Sequence, residues 1–324
     1  MEIGSFLELQ FSKGREYYND SHNIARLNSG RAAIWHASRV LGCDTIWVPY
    51  YQCDTVRDFL LRHNMSVKYY HIDEKFNPLD LEPLENEAVV IVNYYGIMSN
   101  NRLLELSGHY SNVIIDNSQS FFSKPIDGCM SVYSARKFVG VSDGAYVIGE
   151  GANKYLDEYP QCYSSDTAVF LLQRIEYGCE GKTYKARMIN ENRIDSEDTM
   201  LMSKLTQVIL DGTDYHYIIK KRRENFELAH KLFSSINRID PTIYYDESCV
   251  PMVYPLVVED DSLIDRLIEN KHFQGHWWSY LLDEVNKEGF EYWLSRYVIP
   301  ITIDQRYGYE QLRFIRDIVG YNFK

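Results

Sequence analysis

The stretch from Asn112 to Gly149 constrains the fold of this chain more than any other. It opens on a short apolar run, Val113 to Ile115, that reads as a buried strand ending in Asp116. A second run, Met130 to Tyr133, leads into Ser134-Ala135-Arg136-Lys137, and a third, Ala145 to Ile148, follows a turn at Ser142-Asp143-Gly144. An acid at one strand end and a lysine just past the next converge on one edge of a sheet. Open α/β sheets bind ligands at that edge.

The flanking sequence repeats the same alternation. Ser29 caps a helix in SGRAAIWHASRVLG, Thr45 to Val48 is a strand, and Thr55 to His63 is a helix. Ser66 to Ile72 and the almost wholly apolar Val89 to Asn93 are strands, and Arg102 to His109 is a helix. Glu150 to Asp195 is less regular, and Met200 to Phe233 reads as one long helical pattern with basic residues at Lys220, Lys221, Arg222 and Arg223. Strands at Pro251 to Val258, His276 to Trp278 and Tyr297 to Ile301 then alternate with helices at Leu263 to Asn270 and Gly308 to Val319. The expectation is an α/β fold: a large, mainly parallel (mixed) sheet with helices on both faces and a smaller C-terminal α/β domain. A large domain over residues 1–235, including the long bridging helix, would precede a small one over 236–324.

Composition narrows the function classes. The net charge of -12 disfavours a nucleic-acid partner, which selects a basic surface, but leaves room for one phosphate held by local donors. No apolar run approaches the ~20 residues of a membrane span. The first residues are acidic and aromatic rather than basic and then apolar, and six scattered cysteines lack disulfide or metal spacing, so a cytoplasmic protein with reduced thiols is expected. The 27 tyrosines suit a core with a share at an interface. No two histidines fall at ligand spacing beside a third acid or cysteine, and the short Gly149-Glu150-Gly151 lacks a dinucleotide fingerprint.

Lys137 alone reads as a surface lysine. Between apolar strands it also reads as a lysine in a dry site, where the charged form is disfavoured and the amine can attack an aldehyde. Asp116 is either a turn acid or a carboxylate for a pyridinium nitrogen, and Gln119 binds either a cofactor or the loop backbone. Ser29-Gly30-Arg31 opens a helix whose free amides can hold a phosphate or simply be capped, and Ser134 is a second phosphate donor. One cofactor needs such a lysine and acid together, pyridoxal phosphate. Ser134-x-x-Lys137 with Ser142-Asp143 also imitates a serine-acylating signature, but no Lys-Thr-Gly completes it and the motif follows a strand. His276-Trp277-Trp278 reads as small-domain packing, with a substrate platform as the alternative.

At these residues the chain resembles the DegT/DnrJ/EryC1/StrS family of sugar aminotransferases, which are fold-type I pyridoxal-phosphate enzymes. The resemblance runs through NSGRAAI, VPYYQCDTV, VIVNYYG, VIIDNSQSFF, YSARKFVGVSDGAYV and LSRYVIPITIDQRYGYEQL. It implies that Lys137 is the Schiff-base lysine, Asp116 the pyridinium partner and Gln119 a cofactor contact, with Ser29, Gly30, Arg31 and Ser134 about the phosphate. It further implies a homodimer with active sites at the subunit interface, glutamate as amino donor and a nucleotide-linked keto-sugar as acceptor, in surface-polysaccharide biosynthesis. The chain departs from the family pattern at Arg31, and at Cys53, where an aromatic usually stacks on the cofactor ring and Tyr50 or Tyr51 is the candidate substitute. It departs again at Thr199-Met200-Leu201-Met202, where a partner-subunit asparagine often stands. Because the site is only partly furnished by its own stretch, a twofold partner presenting Arg187 or Asn190 is expected to complete it. The alternative implied by the same departures is a divergent member that binds cofactor or sugar without transaminating.

Overall fold

The computed structural model describes residues 5–19 and 23–320. The last four residues of the expected small domain therefore lie outside the described residues, as do the first four of the chain. Ten strands and eleven α-helices are seen among the described residues. Eight strands form one sheet in the order β1-β8-β7-β6-β5-β2-β3-β4. These are β1 (Ile24–Leu27), β2 (Thr45–Pro49), β3 (Ser66–Ile72), β4 (Pro78–Leu79), β5 (Ala88–Val92), β6 (Asn112–Asn117), β7 (Met130–Ser134) and β8 (Ala145–Ile148). The central pairs β3-β2, β2-β5, β5-β6 and β6-β7 are parallel, whereas β1-β8, β8-β7 and β3-β4 are antiparallel. The expected mixed, mainly parallel sheet is what forms.

The central strands are apolar because both faces are covered. Every residue of β5 is buried, as is every residue of β7 and β8. Helix α1 (Gly30–Leu41) lies over β6, β7 and β8. Its Ser29 hydroxyl accepts from the Ala32 amide at 3.3 Å, and Gly42 closes its far end in the left-handed region. Helices α2 (Asp54–Arg62) and α3 (Asn100–Ser107) complete the first half of the chain.

Three readings of the sequence need correction. The region 150–195 contains α4 (Val169–Tyr177) and α5 (Lys182–Ser196). No residue of α4 is buried, so it has no apolar-in, polar-out period to read. The long pattern from Met200 is two helices, α6 (Lys204–Asp211) and α7 (Tyr215–Phe233). Between them Asp214 caps α7 by accepting from the Tyr217 amide at 3.0 Å. His276 to Trp278 forms no strand; the segment instead lies across the large sheet's ligand edge.

The second sheet pairs β9 (Val253–Val257) antiparallel with β10 (Val298–Thr302). Around it lie α8 (Leu263–Glu269), α9 (Leu281–Glu284), α10 (Phe290–Tyr297) and α11 (Tyr309–Val319). Helix α7, expected as a bridge, packs on β9 and α11, and its Phe226, Ala229 and Phe233 join one continuous apolar core with both sheets. No helix among the described residues is long and apolar enough to cross a membrane.

Candidate active site at the carboxyl edge of the large sheet

β6 and β7 run side by side and parallel, with Asp116 opposite Val132 and Asn117 opposite Tyr133. Their ends therefore deliver Asp116 and the Ser134 turn to the same edge. Asp116 is buried, and its two oxygens are separately held. Oδ1 accepts from the Ser118 amide at 2.9 Å and Oδ2 accepts from Gln52 Nε2 at 3.0 Å. Gln52 was not legible as a site residue. Its backbone is fixed from the other sheet's side of the molecule, since the Tyr280 hydroxyl donates to the carbonyls of Gln52 at 2.6 Å and Tyr50 at 3.0 Å.

Lys137 ends a single 3₁₀ turn, Ala135–Lys137, that follows β7. Solvent reaches its side chain, and no hydrogen bond or ion pair engages its amine among the described residues. Neighbouring protein still desolvates the amine in part, which lowers its pKa, aided by the Arg136 charge and opposed by Asp116 and Cys53. An amine that is accessible, unpaired and has its charged form disfavoured is a candidate nucleophile. Cys53, just before α2, is thus within electrostatic reach of Lys137, and its thiol lies 3.1 Å from the Thr55 hydroxyl.

The start of α1 meets these strand ends. A Cβ built on Gly30 would come within 3.2 Å of Ser118 Oγ and 3.9 Å of Ser134 Cβ. A side chain there would crowd the Ser118 hydroxyl, so glycine leaves room for a ligand to approach. The Gly30 and Arg31 amides have no acceptor within the helix, because the first turn never does. Neither the Ser118 nor the Ser134 hydroxyl has a partner among the described residues. This is a donor set for an anion at a helix N-terminus. Ser118 was missed in the sequence because its neighbourhood to Gly30 depends on how α1 packs. The Arg31 side chain points elsewhere and ion-pairs with Asp195 at 2.6 Å.

Other expected residues are placed differently. Gln119 Oε1 accepts from the Tyr95 amide at 2.7 Å, which is the backbone alternative left open for it. That bond helps hold Tyr95 at φ +57, a conformation costly for an aromatic residue. Gly96 follows at φ +76 with the Gln119 carbonyl 2.5 Å from where a Cβ would sit, so the turn admits only glycine. Tyr51 is fully buried, with its hydroxyl 2.7 Å from that of Tyr95, and Tyr50 stacks on Tyr69 and His71. Both tyrosine rings are therefore engaged within the protein. Trp277 stacks on Tyr95 at 5.4 Å and Trp278 meets Tyr51 edge-on at 4.4 Å, so this pair packs against the site's own wall.

Asn190 is also committed within its own chain. It is buried, donates to the Ser142 carbonyl at 2.9 Å and accepts from Thr167 at 2.9 Å, which removes it as a donor to a partner's site. Arg187 stays exposed. Leu201 bridges Leu27 and Gln161, so the 199–202 segment extends the edge beside β1. Asp143, of the rival acylating signature, is fully buried and accepts from the Ser203 amide and hydroxyl at 2.8 and 2.7 Å. It pins α6 and does not face Lys137's amine as a partner. No group of three or more His, Cys, Asp or Glu is placed to hold a metal among the described residues.

No family model and no curated protein matches the sequence. The fold does match solved structures. A DegT DnrJ EryC1 StrS aminotransferase from Brucella abortus is 12% identical over 93% of this chain and 86% of that one, with a TM-score of 0.60. The sugar aminotransferase CalS13 from Micromonospora echinospora is 13% identical over 93% and 87%, with a TM-score of 0.62. An E. coli GDP-4-keto-6-deoxy-D-mannose-3-dehydratase with bound hydrated PLP is 13% identical over 92% and 87%, also at 0.62. The chain has the α/β fold of the DegT/DnrJ/EryC1/StrS sugar aminotransferases, the fold that the resemblance in its sequence implies.

Proposed function

We propose that this protein is a pyridoxal-phosphate-dependent aminotransferase that moves an amino group from glutamate to a nucleotide-linked keto-sugar. The observation that carries the reading is the meeting of an unpaired, desolvated lysine, a buried carboxylate and an anion cradle at one sheet edge. The residues fit the cofactor. The Gly30 and Arg31 amides and the Ser134 and Ser118 hydroxyls would take its phosphate, Asp116 would face its ring nitrogen, and Lys137 would hold it covalently. When bound, the group supplies an aldehyde carbon for a lysine amine and a ring that accepts an electron pair.

The chain's own residues do the rest. Lys137 would hold or move a proton at its Nζ, and the desolvation that lowers its pKa favours the neutral amine that this role needs. Asp116, held by Gln52 and the Ser118 amide, would present its carboxylate to the ring nitrogen. The strap carrying Trp277 and Trp278 covers the Tyr95 and Tyr51 wall and helps exclude water. A cytoplasmic setting, and the division into residues 1–235 and 236–324, belong to the same proposal.

The visible spectrum of the reconstituted protein tests it. Addition of glutamate should shift the bound cofactor's absorbance to that of its amine form. Retained colour without a shift would favour the divergent, non-transaminating reading. The dehydratase among the structural neighbours makes that distinction worth drawing, because the same fold there bears another activity.

The working unit is a homodimer in this reading. Leu172 and Ile175 of α4, and Tyr184 and Ile189 of α5, are exposed apolar side chains on adjacent helices. This hairpin adjoins the site, since Arg136 pairs with Glu191 at 2.6 Å and Arg31 with Asp195. A second copy covering it would sit beside the site. Sedimentation at micromolar concentration should show a dimer; a stable monomer that still binds the cofactor tightly would contradict it.

A further inference from the structure

Arg222 sits in the interior of α7 at 2% exposure, yet no carboxylate forms an ion pair with it among the described residues. Asp304, which acts on it electrostatically, is already bridged to Arg306. Burial pulls the Arg222 pKa down to about 10, which still leaves it charged at neutral pH. A buried charge without an ion-pair partner is costly, and an apolar side chain of similar size would fill the space without that cost.

What the guanidinium does hold is backbone. Nη2 donates to the Lys137 carbonyl at 3.4 Å, and Nη1 donates to the carbonyls of Met252 at 2.9 Å and Pro251 at 3.3 Å. Its Cζ lies 4.4 Å from the centroid of the Phe138 ring. The next carbonyl, that of Phe138, accepts from Gln305 Nε2 at 3.0 Å. The 3₁₀ turn offers these two carbonyls no donor of its own. Meanwhile the Met252 amide donates to the Tyr95 carbonyl at 2.8 Å, and the Tyr95 amide donates to Gln119. One continuous set of bonds therefore joins the Lys137 turn, the residues entering β9 and the strained Tyr95 turn.

We propose that Arg222 is a positioning residue for Lys137, fixing the backbone from which the amine is presented and tying it to the seating of the segment that enters β9. In its functional consequence this rests on the reading that Lys137 carries the cofactor. Without the clamp the turn relaxes toward solvent, desolvation of the amine falls, and its pKa rises toward that of free lysine. The neutral fraction at a given pH then drops.

The test compares full-length wild type with Arg222→Met, Arg222→Lys and Gln305→Leu. The first readout needs no cofactor: the rate of trinitrophenylation of Lys137 against pH, followed by peptide mapping. Wild type should show a midpoint below the value of about 10.4 for free lysine. Arg222→Met should react about tenfold more slowly near pH 8, with its midpoint moved upward, and Arg222→Lys should recover part of that loss. The second readout is the pH titration of visible absorbance after pyridoxal phosphate is added, which should move in the same sense. A folded Arg222→Met with the wild-type labelling profile overturns the proposal. Should that variant fail to fold, Gln305→Leu decides: a smaller shift in the same direction supports the clamp, and an unchanged profile overturns it. If wild type gives shifted labelling at Lys137 but no cofactor adduct there, the cofactor reading falls while the clamp stands.

Discussion

Lys137→Ala is expected to lower turnover by roughly four orders of magnitude or more while leaving the fold intact. The two halves of that expectation have separate grounds. In the proposed reaction the same amine holds the cofactor and carries the proton, so its removal takes away both roles. In the folded chain the amine has no hydrogen-bond or ion-pair partner among the described residues, and solvent reaches it. Its loss should therefore change stability by no more than ~0.5 kcal/mol, as for other substitutions without a packing or pairing role. Retaining a lysine whose charged form is disfavoured by its surroundings works slightly against the folded state. The sign is fixed by the lowered pKa: the folded chain binds that proton less readily than the unfolded one, so the penalty is present below the folded pKa and vanishes above the unfolded one. Rates with glutamate and thermal melting of the same preparation check both halves. Loss of turnover together with a large drop in melting temperature would make Lys137 a structural residue instead.

Asp116→Asn is expected to cost about a thousandfold in turnover with much of the cofactor still bound. Removing the charge leaves the ring nitrogen without an anion to keep it protonated, so the ring becomes a poor electron acceptor. The substitution also tests the geometry. The Ser118 amide can still donate to the remaining carbonyl oxygen, but the new amide nitrogen would face Gln52 Nε2, donor against donor. Gln52 must then turn its own amide over, which it can do because its backbone is held independently by Tyr280. The position therefore survives and the charge does not. Bound cofactor measured by absorbance, beside the turnover number, separates the two. Unchanged turnover would leave Asp116 as a turn acid alone.

The legible parts of this molecule were those whose signal is local. β5, β6 and β8 announced themselves as short apolar runs because both sheet faces are covered, and β3 and β8 begin and end where the pattern placed them. Asp116 and Lys137 could be brought together from sequence because each sits at the end of such a run and parallel neighbours share an edge. β1 and β4 escaped notice. Each is four residues or fewer and lies at a sheet edge, where burial imposes little alternation. Helices α4 and α5 were missed because α4 buries nothing and α5 buries only Thr183, Ala186, Asn190 and Ile194.

At the site, the unseen residues are those whose meaning lies in distant contacts. Gln52 reaches Asp116 across 64 residues of sequence, and Arg222 reaches Lys137 across 85. Nothing about either residue type, or its immediate neighbours, distinguishes it from a surface glutamine or a helical arginine. For Tyr51 the local pattern misled. Two residues before Cys53, it was a candidate substitute for the stacking aromatic, but its hydroxyl pairs with Tyr95 and its ring is sealed in. Cys53 keeps the place near Lys137 that an aromatic was expected to hold.

Lys137 as the covalent anchor of the cofactor is open to one direct measurement. The protein is reconstituted with pyridoxal phosphate, reduced with borohydride, digested and mapped by mass spectrometry. One modified residue is expected, Lys137, with the label absent from Lys137→Ala. An adduct on Lys124 or Lys182, or no adduct on a folded protein, would contradict it.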